Sequence, residues 1–326
     1  MTKIRLAVIG TGSFGRNHVR VLKGMPDVDL VGICDVNVNR AAAVATEYHC
    51  GLFAHLDAIA GQVDAAIVAT TTTTHAAVAE QLLASGVDVL IEKPIADSAE
   101  EGERLSGLAE RNGRILQVGH LERFNPAVEA LAKATTTPLF FEIHRLSEFS
   151  PRSLDVDVVL DLMIHDLDVV LALTGEDPEE IRAAGISVLS EKVDIANVRL
   201  AFASGCVANL TASRISTERV RKLRLFQPGQ YLSLDYQRQN VSVFSVAAHR
   251  APHTGLPEIG FQSLPVSKAE PLLQELRAFA ESVRTREKPR VNGRDATKTL
   301  RVAEAILGKI QEHAGVVTQT LARSGS

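Results

Sequence analysis

Tryptophan is absent from this chain, and tyrosine occurs only three times. A platform of aromatic rings for stacking bases therefore has little to be built from. No charge of one sign dominates either: Lys plus Arg number 35 against 39 for Asp plus Glu, a formal net charge of -4. Duplex binding needs a basic excess, so nucleic acid is not an expected partner. Cysteine is scarce. Cys34, Cys50 and Cys206 form no CxxC pair and no metal-ligand spacing, which fits reduced thiols in a cytoplasmic protein. No uninterrupted apolar run approaches the ~20 residues that cross a membrane, so no membrane partner is expected. Met1-Thr2-Lys3 leads directly into the apolar run Ile4–Ile9, without the apolar stretch and cleavage site of a secretory signal.

What is present is an ordinary globular composition, 45% apolar and 23% charged over 326 residues. That length suits two cores better than one. Over residues 1–122 short apolar runs alternate with helical patterns. Ile4–Ile9, Leu30–Cys34, Ala65–Ala69, Val87–Ile91 and Ile115–Val118 read as buried parallel strands. Phe14–Lys23, Val38–Tyr48, Thr74–Ser85 and Ser98–Arg111 read as helices, the last with Ser98 as N-cap and Glu101 at the capping-box position. The alternation predicts an α/β Rossmann domain, a doubly wound parallel sheet. Residues 123–326 read as a substrate-binding, oligomerising α+β domain with a mostly antiparallel sheet. It opens with helix Asn125–Ala134 and continues through a strand at Pro138–Leu146 and a long helix at Asp157–Thr174. The strand-like runs Ile181–Leu189, Asn197–Phe202, Cys206–Ala212, Lys222–Phe226, Tyr231–Tyr236 and Val241–Ser245 follow. His249–Pro265 reads as a mobile loop near the site. Two amphipathic helices close the chain and can pack back on the first domain.

Gly10-Thr11-Gly12-Ser13-Phe14-Gly15 follows a strand and opens a helix, the context in which GxGxxG carries weight. Gly10 permits the tight turn, Gly12 lets backbone approach a pyrophosphate, and Gly15 lets helix and strand pack closely. The helix N-terminus then faces the phosphates. Asp35 ends the second strand, twenty positions after Gly15. A carboxylate there accepts from the adenosine ribose hydroxyls and repels a 2′-phosphate, which favours NAD over NADP. Arg40 counts on the other side, since an arginine can neutralise that phosphate. The run Thr70–Thr74 lies at the carboxyl edge of the sheet, where ligands bind in such folds. Thr70, Thr71 and His75 are candidates for cofactor contact, with capping or turn roles as the alternative for each.

Glu92-Lys93-Pro94 ends the next strand at the same edge, which sets Glu92 and Lys93 beside the expected nicotinamide. A partly desolvated lysine next to a cationic ring tends toward a lowered pKa and can move a proton or hold the reacting oxygen. Asp157, Asp161, His165 and Asp168 are spaced to share one face of a helix. Three carboxylates and an imidazole in an otherwise apolar segment are costly without a purpose. His165 has the intrinsic pKa of a base near neutrality, and Asp161 can orient it or bind a substrate hydroxyl. A solvated polar face and a metal site are the alternatives. Hydride transfer to NAD needs no metal, so no metal is expected.

These motifs in order, with Arg123-Phe124-Asn125-Pro126 and Asn292-Gly293-Arg294-Asp295-Ala296, resemble the Gfo/Idh/MocA oxidoreductases over nearly the whole chain. The resemblance implies hydride transfer between NAD(P) and a carbon bearing a hydroxyl on a sugar or cyclitol, by a homo-oligomer (dimer or tetramer). It implies a catalytic set of Lys93, Asp161 and His165, in which the base is assigned in some members to the lysine and in others to the histidine; the favoured reading has His165 as base and Lys93 polarising the oxygen. It also implies that Arg123 and Asn125 lie near cofactor or substrate, with a helix cap before Pro126 as the alternative for Asn125. Many members carry glycine where this chain has Met163. Asp161-Leu162-Met163-Ile164-His165-Asp166 and Gly119-His120-Leu121-Glu122 are more similar to a branch acting on nucleotide sugars, which implies oxidation of the 3-hydroxyl of a sugar such as UDP-N-acetylglucosamine. Arg145, Arg152 and Arg214 are candidate cations for the diphosphate. Three other readings stay open: a dehydrogenase of a free sugar or inositol, a glycoside hydrolase that retains its NAD, and a non-catalytic NAD-sensing protein. The intact Lys93, Asp161 and His165 argue against the last.

Overall fold

The two hydrophobic periods become two separate sheets in the computed structural model, which describes residues 2–150, 156–250 and 257–324. The chain divides into two units, Met1–Phe124 with Glu270–Arg301, and Asn125–Ala269 with Val302–Ser326.

In the first unit β1 (Ile4–Ile9), β2 (Val28–Cys34), β3 (Gly51–Leu52), β4 (Ala65–Val68), β5 (Asp88–Glu92) and β6 (Leu116–Gly119) form a parallel sheet of order β3-β2-β1-β4-β5-β6. Strands buried on both faces need apolar residues at every position, and all four residues of β4 are buried. The helices α1 (Ser13–Lys23), α2 (Val38–Tyr48), α3 (Thr72–Ala84) and α4 (Ala99–Arg111) connect them. Ser98 caps α4 as expected, accepting the Glu101 N–H at 3.2 Å. The chain order reverses between β1 and β4, the switch point where open α/β sheets bind ligands. A later helix, α7 (Pro271–Thr285), buries Leu276, Phe279 and Ala280 in this unit's core beside Val19 and Leu22 of α1.

The second unit opens with α5 (Pro126–Ala134), where Asn125 accepts the Ala127 N–H and Pro126 takes the first turn. Its eight-stranded sheet has the order β14-β13-β12-β11-β7-β10-β9-β8. The strands are β7 (Phe140–Glu148), β8 (Pro178–Ile186), β9 (Ile195–Phe202), β10 (Val207–Ser216), β11 (Val220–Gln227), β12 (Gln230–Asp235), β13 (Asn240–Arg250) and β14 (Pro257–Ser263). All neighbours are antiparallel except β7 and β10. One sheet face packs on α5, on α6 (Ile164–Thr174) and on the later turns of α8 (Gly293–Ser324), in a core holding Leu223, Leu225, Leu232 and Ile306.

Two expectations are corrected. The expected long helix is not regular: Val159–Met163 forms a π-turn before α6 begins. The expected loop His249–Pro265 contributes instead to a hairpin, because β13 extends to Arg250 and β14 occupies Pro257–Ser263. The alternating Glu258, Ile259, Gly260, Phe261 carries a strand period that its Pro and Gly residues obscured. Residues 251–256 of that stretch lie outside the described residues.

Candidate functional site

Gly10 holds φ 87°, and a Cβ there would lie 2.5 Å from the Ala69 carbonyl oxygen. A Cβ on Gly15 would collide with the Gly10 carbonyl. Both are therefore demanded by the fold of the turn. Gly12 differs, since a Cβ there would meet nothing within 4 Å. Its lack of a side chain matters only for something outside the chain. Gly12 is also the N-cap of α1 and provides no side-chain cap, so the first N–H groups of that helix remain for an anion. The loop borders a cavity of about 610 Å³ lined by Gly10, Gly12, Ser13, Phe14, Asp35, Val36, Thr70 and Thr71, among others. Val36 is fully exposed and Phe14 is 63% exposed. Apolar groups so placed beside a cavity suit the flat face of a base. These features suit a dinucleotide.

Asp35 is nearly buried, and its carboxylate accepts the Thr11 N–H at 2.6 Å, the Thr11 hydroxyl at 2.8 Å and the Asn37 N–H at 2.8 Å. Arg40 adds two-pronged donation at 2.9 Å to each oxygen. Burial raises the Asp35 pKa, but these hydrogen bonds outweigh it and hold the carboxyl below its usual range. Thr11 is thus a buried brace for Asp35 and lies outside the cavity lining.

The threonine hydroxyls at the β4 edge are taken up locally: Thr74 donates to the Thr71 carbonyl at 2.8 Å, and its Oγ1 lies 2.9 Å from the Thr70 hydroxyl. His75 is not the surface or capping residue that its place in the first helical turn suggests. It is 1% exposed. Burial lowers its pKa, so the ring is neutral, and its shorter contact runs from Nδ1 to the Pro94 carbonyl at 2.8 Å. His75 thereby ties α3 to the turn carrying Lys93. On the other side Glu92 accepts the Lys93 N–H at 3.3 Å and lies 2.7 Å from His18 Nε2. His18 is missed by sequence reasoning. Its only signal is a place on the inner face of α1, where a histidine ordinarily reads as core. Arg123 sits in a 3-10 turn at Leu121–Phe124, where its guanidinium donates to the Arg290 carbonyl at 3.4 Å and the Arg290 guanidinium donates to its carbonyl at 3.1 Å.

In the second unit a π-turn interrupts the face that Asp157, Asp161, His165 and Asp168 were expected to share. The π-turn adds one residue to a helix, which rotates the upstream face by ~100° against the α-helix that follows. Asp157 serves the backbone: its carboxylate accepts the Val193 N–H at 2.8 Å, and its carbonyl accepts from Leu160 and Asp161. Asp168 is buried at 2% exposure. Asp161, within the π-turn, and His165, in the first turn of α6, stay half-buried. Arg145 pairs with Asp166 at 2.6 and 2.9 Å and stacks on Tyr236 at 4.9 Å, all within the core. Arg214 bonds the Val156 and Val193 carbonyls beside Asp194. Neither is placed for a diphosphate, and Arg152 lies outside the described residues. Among the described residues no three His, Cys, Asp or Glu side chains gather as a metal site.

The family model described as "Oxidoreductase family, NAD-binding Rossmann fold" matches residues 4–120, and the GFO/IDH/MocA C-terminal domain matches residues 138–226. The UDP-N-acetylglucosamine 3-dehydrogenase of Acidithiobacillus ferrooxidans is 38% identical over 284 residues, covering 87% of this chain and 90% of that protein. A solved structure of that enzyme superposes with a TM-score of 0.90, covering 96% of this chain and 99% of its own. The scyllo-inositol 2-dehydrogenase (NAD(+)) of Bacillus subtilis is 26% identical, covering 93% of each chain. With matches to both halves and a dinucleotide cavity at its sheet switch point, the chain belongs to the Gfo/Idh/MocA family of NAD-binding oxidoreductases.

Proposed function

We propose that this chain is an NAD-dependent dehydrogenase of a nucleotide sugar, oxidising the 3-hydroxyl of UDP-N-acetylglucosamine. One observation carries the substrate: a relative 38% identical over nearly the full length of both chains is named for that activity. NAD, when bound, supplies the hydride acceptor. His165 takes the hydroxyl proton, Asp161 orients the imidazole, and Lys93 donates a hydrogen bond to the same oxygen as its bond order rises. Thr70 and Thr71 line the cofactor cavity, while His75 and Glu92 hold the Lys93 turn in place. The inositol dehydrogenases among the relatives favour a second reading, a free cyclitol as substrate.

The same reading places the enzyme in the cytoplasm as a homo-oligomer. Three free cysteines support the compartment, and a row of aromatic rings on the second sheet, with Phe226 and Phe261 exposed, supports self-association.

The test follows nicotinamide reduction with UDP-N-acetylglucosamine, other UDP-sugars, free sugars and cyclitols. Reduction with UDP-N-acetylglucosamine is expected, and silence with it beside a fast cyclitol reaction overturns the substrate. His165→Asn is expected to lower kcat ~10²-fold or more. A loss within about a factor of two refutes its role as base.

A further inference from the structure

Beside the Lys93 turn lies a set of largely buried polar groups, of which the proposed reaction uses only Glu92. His18 comes from α1, Glu92 from the end of β5, Gln117 from β6 and Glu275 from α7. His18 and Glu275 are each 1% exposed and Gln117 is 0% exposed. The Gln117 amide donates to the Glu275 carbonyl at 3.3 Å. Leaving a carboxyl in such a place is costly, and Glu275 Oε1 meets no donor among the described residues. Nothing in the packing of α7 asks for an acid there, since Leu276 and Phe279 beside it supply the apolar contact.

Glu92 is the organising group. One oxygen lies 2.7 Å from His18 Nε2, and the other accepts the Lys93 backbone N–H at 3.3 Å. A Cβ on Gly119 would stand 3.2 Å from that second oxygen, so the neighbouring strand leaves the carboxylate only just enough room. Two buried carboxyls that sense each other do not both ionise. Burial opposes the Glu92 anion, but His18 and then Lys93 favour it and hold its pKa below the usual range. Glu275 has no such partner among the described residues. Burial first, and the charge of Glu92 second, push its carboxyl well above the usual range. From α3, His75 also senses the Glu92 charge. His120 and Glu122, both buried just after β6, are further ionisable groups on the surrounding elements.

We propose that His18 and Glu275 are positioning residues for Lys93 that act through Glu92. His18 fixes the Glu92 carboxylate that holds the Lys93 backbone, and Glu275 stays uncharged so that Glu92 carries the single negative charge of the cluster. This rests on Lys93 acting at the substrate oxygen.

Two measurements test it. Glu275 keeps a proton in the folded protein where the unfolded chain has lost one, so stability falls as pH rises above the ordinary glutamate range. Glu275→Gln cannot ionise. It should melt higher than the parent at about pH 8, with the gap closing toward about pH 5. A gap that is equal at both pH values overturns the uncharged Glu275. His18→Asn, too short to reach Glu92, should lower kcat at least about tenfold while the NAD dissociation constant stays within about threefold. His18→Gln sets an amide nitrogen where Nε2 stands and should recover kcat to within about threefold of the parent. A His18→Asn enzyme within about twofold of the parent, a loss confined to NAD affinity, or no rescue by His18→Gln overturns the positioning role. Lys93→Met runs in parallel. If it keeps its kcat, the role of Lys93 itself fails, a result separable from the melting gap, which needs no substrate.

Discussion

At the scale of single residues, the proposed reading rests cofactor choice on Asp35 and the arginine that grips it. The carboxylate accepts from Thr11, Asn37 and Arg40, and those bonds outweigh burial to keep it ionised. A folded pKa held below the usual range means the anion persists throughout pH 5–8, so selection against a 2′-phosphate should not drift over that range. Asp35→Ser removes the anion and releases the Arg40 guanidinium, a group shaped to grip phosphate. The kcat/KM ratio of NADP to NAD should then rise by about tenfold or more, roughly 1.4 kcal/mol in differential binding. A ratio unchanged from the parent refutes the role given to this pair. Asp35 and the glycines were legible from sequence because their chemistry is local, set by a turn and a strand end. His18 was not, because its partner Glu92 is 74 positions away. Only the folded sheet turns an apparent core histidine into a partner of the Lys93 turn. Glu275 is hidden for the same reason, inside an amphipathic helix whose period accounts for its neighbours.

At the scale of elements, the helix bearing Asp161 and His165 shows where pattern reading stops. Its apolar run predicted the helix to Thr174, and Gly175 closes it there with φ 72°. The π-turn left no local mark, because an inserted residue in an apolar run looks like more apolar run. The start of this helix is set by the hairpin between β8 and β9. The Val158 N–H donates to the Val193 carbonyl at 2.9 Å, and Asp157 accepts from Val193. Asp194, fully buried, anchors that hairpin by accepting the N–H groups of Val188 and Leu189 at 2.7 Å each and Ser190 at 3.1 Å, beside Arg214. Burial raises its pKa, but the converging donors win and bring it to about 2. A depressed folded pKa contributes stability that is complete above the ordinary aspartate range and is lost as pH falls toward about 2. Asp194→Asn should cost about 3 kcal/mol at neutral pH, since it leaves Arg214 buried beside a neutral amide. Its urea-unfolding stability should also depend less steeply on pH than the parent's between about pH 4 and 2. Parallel pH curves for the two proteins would count against this account.

At the scale of the whole molecule, the second sheet has one face filled and one face open. Leu225, Leu232 and Val243 point into the core, and the alternate positions carry rings. Phe140, Phe226, Tyr231, Phe244 and Phe261 are directly opposed across β7, β11, β12, β13 and β14. Their centroids are separated by 5.9, 4.8, 5.2 and 5.1 Å in that order. Such a row supports register within the sheet, each pair contributing ~0.5–1.5 kcal/mol. Register alone does not explain the apolar exposure around it: Phe261 is 64% exposed, Ile259 72% and Val246 55%. In a chain with so few aromatics, 4% in all, gathering five of them on one open face is an investment in covering that face. On the proposed reading of a homo-oligomer, a second copy of the same sheet would supply a matching flat apolar surface, since a self-complementary patch generates a closed dimer. A stable interface needs at least ~1,000 Å² buried, well within the reach of an eight-stranded sheet. Light scattering after size exclusion should give the parent a multiple of the chain mass. Phe226→Asp with Phe261→Asp should shift it toward a single chain, while the far-ultraviolet circular dichroism and NAD affinity stay near the parent's, because neither ring lines the dinucleotide cavity. A parent protein that elutes as one chain at micromolar concentration, or a double variant with unchanged mass, removes this face as the seat of assembly.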